Sequence, residues 1–216
     1  MKFHYDIEQR TEAWFRIKYG KVGGTTSSQL HSKDDTLLNK LIAWKLEEFD
    51  PTADNGFTSP DMQRGIDLEP DAIAEVSTYS GIDFIDIGWI QSDIPIIGIS
   101  PDAVSEDGDN QAEVKCPSAP EHIKYLRGKE VPAKYAHQVV HAFAVNPNLK
   151  ANWFASYRPE CEIPLFVKKV TPIDMINLGT EKTPKMVNVA VAASEKRELA
   201  RKLIQRTDET IEEMRF

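Results

Sequence analysis

Cysteine is nearly missing from this chain, which holds only Cys116 and Cys161 in 216 residues. Two thiols cannot build a disulfide framework or a four-thiolate iron–sulfur cluster, and Cys116 is expected to be a small buried residue. Long hydrophobic runs are also lacking, so no segment has the length that spans a bilayer. The opening Met-Lys-Phe-His-Tyr-Asp has no apolar signal-peptide core, and a cytoplasmic location with no membrane partner is expected. Internal repeats and low-complexity tracts do not occur. Positive charge is in deficit, because 26 Lys and Arg face 34 Asp and Glu for a net charge of −8. That balance is the reverse of the broad basic footprint common in nucleic-acid-binding domains. Hydrophobic content of 41% and charged content of 28% are those of an ordinary soluble globular protein. The length fits one domain over 1–216, with a helical extension from about residue 172.

Against these absences stands one dense stretch, Gly98 to Pro117. Two apolar runs, Ile94 to Val104 and Gln111 to Cys116, flank Asp107-Gly108-Asp109-Asn110, a turn signal that predicts a β-hairpin. A symmetric hairpin centred between residues 107 and 108 sets Asp102 directly across from Glu113. Like charges so placed repel, so a cation is expected between them. Lys115 lies two residues beyond Glu113 and therefore emerges on the same face. Two carboxylates and an ammonium then converge, a set suited to a hard divalent ion such as Mg²⁺ and to phosphodiester hydrolysis, with Lys115 positioning or deprotonating water. Without a metal the same pattern is an ordinary Glu-x-Lys surface hairpin.

The remaining elements follow from periodicity and punctuation. Residues 8–19 read as a helix with Trp14, Ile17 and Phe15 turned inward, ended by Gly20. Val22-Gly23-Gly24-Thr25-Thr26-Ser27-Ser28 precedes another helix, either as a phosphate-attracting helix start or as a plain N-cap. Leu37, Leu38, Leu41, Ile42, Leu46 and Phe49 mark an amphipathic helix over 36–49, and a polar loop runs from Pro51 to Pro60. A helix over 61–79, capped by Ser59 with Pro60 at its first position, carries an inward stripe of Met62, Ile66, Glu69, Ile73 and Val76. A carboxylate on that stripe must be paired, protonated or facing a metal cleft. Strands are predicted over 84–91, 94–100, 151–157 and 163–171, and helices from Ser118 to Gly128, from Pro132 onward and over most of the last forty residues. His137 and His141 are spaced i, i+4, a zinc-capable spacing that without further Cys or His reads as packing. Lys115, Lys124, Arg127, Lys129 and Lys134 cluster after the hairpin, so a basic groove inside an acidic exterior is expected. The order of elements gives an α/β fold with a mixed central sheet flanked by helices.

Pro101-Asp102 followed by Glu113-Val114-Lys115 matches the PD-(D/E)-x-K nuclease signature. The longer strings Ser100-Pro101-Asp102 and Glu113-Val114-Lys115-Cys116-Pro117 resemble the family of phage lambda exonuclease and YqaJ-type viral recombinases. Three further blocks are similar to that family: Trp14 to Thr25 with Lys18 and Thr25, Gly65-x-x-x-Glu69-Pro70, and Tyr135-Ala136-His137-Gln138-Val139. The resemblance covers roughly residues 8–170. It implies a restriction-endonuclease-like core and a Mg²⁺-dependent exonuclease, with two ions per site and Mn²⁺ as a substitute. Such an enzyme digests one strand of duplex DNA from a 5′ end, often as a toroidal trimer beside a single-strand annealing protein, in a bacterial or phage-infected cell. It also implies site roles. Asp102, Glu113, the Val114 carbonyl and Glu69 hold metal, Lys115 orients or activates water, and Gln138 supports the site. Lys18, Thr25 and Ser100 bind the terminal phosphate. The family's basic contact after the hairpin is replaced here by Ser118-Ala119-Pro120-Glu121, so His122, Lys124 or Arg127 is expected to substitute. An endonuclease on the same fold and a non-catalytic DNA-end-binding subunit are the alternatives.

Overall fold

A computed structural model describes residues 1–51 and 59–215, so most of the loop predicted over 51–60 lies outside the described residues. In chain order it contains strand β1 (Lys2–His4), helix α1 (Glu12–Lys18), a 3₁₀ turn (Ser27–His31), α2 (Thr36–Leu46) and α3 (Pro60–Ser80). Then come β2 (Phe84–Ile85), β3 (Trp89–Gln91), β4 (Gly98–Ile99), β5 (Ala103–Ser105), β6 (Asn110–Lys115), α4 (Ala119–Gly128) and α5 (Ala133–Val145). The chain ends with β7 (Ala151–Tyr157), β8 (Leu165–Val170), β9 (Met175–Asn177), β10 (Met186–Asn188) and α6 (Val189–Met214).

The central sheet has five strands in the order β2-β5-β6-β7-β8, with β6 and β7 parallel and the other pairs antiparallel. Strand alternation gives its two faces different partners. Ala112, Val114, Trp153 and Ala155 pack with Ala72 and Val76 of α3, while Val104, Phe154 and Phe166 pack with α5 and the start of α6. Gln111, Glu113 and Lys115 therefore look toward α5. The mixed sheet between helical layers is the architecture predicted from the order of elements.

Several boundaries differ from the periodicity. The predicted strand over 84–91 divides at Asp86-Ile87-Gly88, and the run from Ile94 to Val104 divides at Ser100-Pro101-Asp102. The inner pieces β3 and β4 leave the main sheet and join β1 in a separate three-stranded sheet. A Cβ on Gly88 would come within 2.0 Å of the Ile7 carbonyl oxygen, so only glycine allows the chains to cross there. The first helix begins at Glu12 because Arg10 has φ of 69° and Thr11 supplies the N-cap, its side chain accepting from the Trp14 N–H. The segment after Thr25 forms a 3₁₀ turn instead of an α-helix. Helix α3 has its expected Ser59 cap, ends at Gly81 in the left-handed region and runs through Pro70 without a break. Its stripe is shifted: Ala72 and Val76 are buried, whereas Met62 is 56% exposed. Leu46 of α2 and Met214 of α6 are also exposed, and Cys116 is half-buried, its thiol pushed up to about 11 by desolvation.

The last forty residues begin with the β9–β10 hairpin before α6. Leu199, Leu203 and Ile204 pack in cis against Val22, Leu37, Leu41 and Ile97, and Ile211 packs with Leu38 and Ile42. On the same helix Lys196 is fully buried, and desolvation lowers its pKa from the ordinary 10.5 to about 7. The titratable groups around it are Glu195, which opposes that shift, and His31, His137 and His141, all three held below the usual histidine value chiefly by burial. Between about pH 7 and pH 10 the unfolded lysine is protonated and the folded one is not, so unfolding takes up a proton and this group's contribution to stability rises with pH. In urea denaturation the wild type is therefore expected to gain on a Lys196→Met variant as pH is raised through that window. A pH-independent difference would show that the amine keeps its proton in the fold.

Candidate active site

The hairpin register is the one read from the turn. Ala103 pairs with Ala112 and Val104 with Gln111, which carries Asp102 opposite Glu113 at the end of the ladder. The Asp102 N–H donates to the Ala112 carbonyl at 3.2 Å, and its Oδ2 accepts the Val114 N–H at 2.6 Å. The carboxylate is thus fixed by the backbone of the opposite strand. Glu113 is 2% exposed, and its Oε1 accepts from Gln138 Nε2 of α5 at 2.6 Å and from Lys115 Nζ. Lys115 Nζ also stands 3.8 Å from Asp102 Oδ2 and 5.6 Å from the centre of the Tyr135 ring. The three motif side chains and Gln138 come together as the sequence predicted.

Their electrostatics follow from crowding acid in a dry place. Desolvation and then the Asp102 charge raise the Glu113 pKa to about 7, with Glu69 adding to the shift and Lys115 opposing it. Burial works against the Lys115 ammonium, but Glu113 and Asp102 outweigh it and drive its pKa upward. Glu69 is raised by desolvation and by Asp102. It reaches this centre from α3 and is held by Arg10 Nη2 at 2.9 Å. Arg10 gave no sequence signal, since an isolated arginine near a terminus reads as solvated. The preceding Gln9 donates at 2.9 Å to both the Ile87 and Pro101 carbonyls, which ties that segment to the motif.

The donor set is oxygen-only and carries more negative charge than its lysine balances, which fits a hard divalent cation. Among the described residues no three His, Cys, Asp or Glu side chains form a compact metal cage. Lys115 and Arg10 hold two of the carboxylates as ion pairs, so a cation must compete with both.

Asp102 and Glu113, but not Glu69, line a cleft of about 600 Å³ together with Trp14, Lys18, Gly23, Gly24, Thr25, Ser100, Lys115 and Gln138. All three predicted phosphate contacts therefore share one cavity with the acidic centre. The Lys18 ammonium lies 3.2 Å from the centre of the Trp14 ring. Trp14 Nε1 donates to Ser100 Oγ at 2.7 Å and to the Gly88 carbonyl at 3.0 Å, and Ser100 gives its own proton to that carbonyl. Lys21 and Lys40 also line this cleft, and neither was singled out by sequence. Of the basic cluster, Lys124 and Lys134 are elsewhere. Lys124 pairs with Glu181 and Lys134 with Glu121, and both line a different cavity of about 550 Å³ or its neighbour. His122 is buried between Ser156 and the Ile163 carbonyl. Neither His122 nor Lys124 faces the cleft as a replacement phosphate contact. His141 is likewise a packing histidine, its Nε2 between the Val22 and Gly98 carbonyls, while His137 meets the Leu178 carbonyl and Lys196.

Among the described residues no helix is long and apolar enough to cross a membrane. No curated protein matches the chain by sequence. An alkaline exonuclease (LHK-Exo) from Laribacter hongkongensis superposes with a TM-score of 0.71 at 22% identity, over 95% of this chain and 96% of that one. The same protein in complex with dAMP gives 0.70 at 20% identity, over 94% and 98%. At such identities the likeness bears on the fold, and it bears out the nuclease-like core expected from the motifs. The profile of the YqaJ-like viral recombinase domain matches residues 13–148, a span holding Lys18, Glu69, Asp102, Glu113, Lys115 and Gln138. With well over half its length matched and Lys18, Asp102, Glu113, Lys115 and Gln138 meeting in one cleft, this chain belongs to the YqaJ-like viral recombinase family.

Proposed function

We propose that this chain is a Mg²⁺-dependent exodeoxyribonuclease that degrades one strand of linear duplex DNA from its 5′ end and leaves a 3′ overhang for phage-type recombination. The observation that carries the reading is the meeting of Asp102, Glu113 and Lys115, with Gln138 behind them, at the wall of a cleft that also holds Lys18 and Thr25. Family membership and the exonuclease named among the structural neighbours agree with it.

Asp102, Glu113 and the Val114 carbonyl would hold a first ion, and Glu69 would support a second. When bound, such ions polarise the phosphate and lower the pKa of water, and Mn²⁺ would serve in place of Mg²⁺. The chain's own groups do the rest. The Val114 N–H and Gln138 fix the two carboxylates so that no reorganisation is needed as charge develops. Lys115, kept protonated by its acidic neighbours, orients the attacking water by donating a hydrogen bond and offsets charge on the phosphate. Lys18 and the Thr25 hydroxyl donate to the 5′-terminal phosphate. Ser100 can join them by turning its hydroxyl away from the Gly88 carbonyl. A homotrimeric ring around the duplex and a single-strand annealing protein are the partners that complete the proposal.

Digestion of end-labelled linear duplex with and without Mg²⁺ tests it, comparing 5′-phosphorylated with 5′-hydroxyl ends and adding covalently closed circles. The expected result is Mg²⁺-dependent loss of 5′ label, about tenfold faster at phosphorylated ends if the two donors together contribute about 1.4 kcal/mol, with circles left intact. Cut circles would identify an endonuclease. Binding without hydrolysis would identify an end-binding subunit, and equal rates at both ends would remove the phosphate pocket.

A further inference from the structure

We propose that Lys196, on the C-terminal helix and outside the span matched by the family profile, is a positioning residue. By this reading it holds the Gly23–Ser27 wall of the cleft in its phosphate-binding form. The inference rests on the functional reading above and deepens it.

Lys196 is completely buried, and its Nζ donates to the Ser27 carbonyl at 2.8 Å and lies 3.3 Å from His137 Nδ1. His137 Nε2 is 3.3 Å from the Leu178 carbonyl, which can only accept, so Nε2 carries the ring proton and Nδ1 is free to accept from the lysine. A buried amine with no carboxylate in contact is costly, and an apolar side chain would fill the space at lower cost. The amine therefore matters through what it holds.

It holds both sides of the cleft wall at once. Ser27 opens the 3₁₀ turn, and its Oγ donates to the His137 carbonyl at 2.9 Å. Upstream, His141 Nε2 stands 3.2 Å from the Val22 carbonyl. Between these anchors a Cβ on Gly24 would lie 2.9 Å from Gln138 Cγ, so the loop is seated directly on the side chain that holds Glu113. Thr25 is left exposed at the tip, facing the cleft that Lys18 lines. Loss of the Lys196 bond would free the Ser27 end of this segment without touching the carboxylates.

Lys196→Met and His137→Phe, the second removing the ring acceptor while keeping the lysine amine, are compared with wild type in two measurements. One is hydrogen–deuterium exchange of residues 22–31. The other is metal-free binding of short duplexes with 5′-phosphate or 5′-hydroxyl ends. Both variants are expected to exchange faster in that segment and to lose preference for phosphorylated ends, by about tenfold for Lys196→Met, the effect of roughly one hydrogen bond. Affinity for hydroxyl ends is expected to be unchanged. Wild-type protection in both variants, intact end preference despite faster exchange, or equal weakening at both ends would each overturn the assignment. Absence of end preference in the wild type would overturn it together with the pocket. Normal end preference that responds to the variants, in a protein that does not cut DNA with Mg²⁺, would sink the exonuclease reading and leave the role of Lys196 supported.

Discussion

Asp102→Asn is expected to abolish DNA cleavage while leaving the chain folded. The asparagine side-chain oxygen can still accept the Val114 N–H that Asp102 Oδ2 takes at 2.6 Å, so the backbone link across the hairpin survives. What disappears is one of the three carboxylates at the centre and, with it, the negative charge that, after desolvation, raises Glu113 most. Loss of cleavage by about 10³-fold or more is expected, at the upper end of what one preorganised electrostatic group supplies, with thermal unfolding shifted only slightly. This variant is a cleaner probe than Glu113→Ala. That substitution strips the acceptor from both Gln138 and Lys115 and leaves the ammonium only its longer contact with Asp102, and removing one partner of a buried pair costs about 3–5 kcal/mol. Cleavage at the wild-type rate by Asp102→Asn would remove Asp102 from the proposed chemistry.

Lys115→Met is expected to separate turnover from binding. The ammonium lines the cleft close to Glu113 Oε1 and 3.8 Å from Asp102 Oδ2, with the centre of the Tyr135 ring 5.6 Å away. From there it can reach water beside a scissile phosphate but contributes little to the grip on the rest of the duplex. Single-turnover cleavage should fall by about 10²–10³-fold, the usual worth of one preorganised hydrogen-bond donor, whereas affinity for duplex ends should change by less than about tenfold. The fold should tolerate the change, because Glu113, already raised by burial and by Asp102, can take up a proton once its lysine is gone. Lys115→Arg should not restore the rate, since a planar guanidinium cannot direct one donor to the same point. A drop in affinity as large as the drop in rate would instead make Lys115 a binding residue.

The pairing of Asp102 with Glu113 was legible because a short turn with Gly108 in the left-handed region (φ 73°) fixes register, and register fixes which side chains face each other. The same logic, period against punctuation, placed α3 over 61–79 behind its Ser59 cap, close to the observed Pro60–Ser80. Glu69 stood out because a carboxylate interrupted an apolar stripe. Arg10, Gln9 and Lys196 carried no such mark. Each is an ordinary polar residue within its own segment, and its importance comes from a partner 59 to 169 residues away. The basic cluster after the hairpin misled for the converse reason: proximity in sequence put Lys124 and Lys134 near the motif, but α4 and the start of α5 turn them toward Glu181 and Glu121.

By itself, then, the sequence determined the motif hairpin, the Ser59 cap of α3, the mixed α/β order and the family, all of which depend on local periodicity, turn chemistry or the spacing of a few residues. Only the tertiary structure decided which cations face the acids, that β3 and β4 leave the main sheet for β1, and that the C-terminal helix backs the phosphate loop. Those outcomes depend on burial and on contacts between distant segments. Whether a given lysine is solvated, paired or sealed in a core is set by what packs over it, and no window along the chain contains that information.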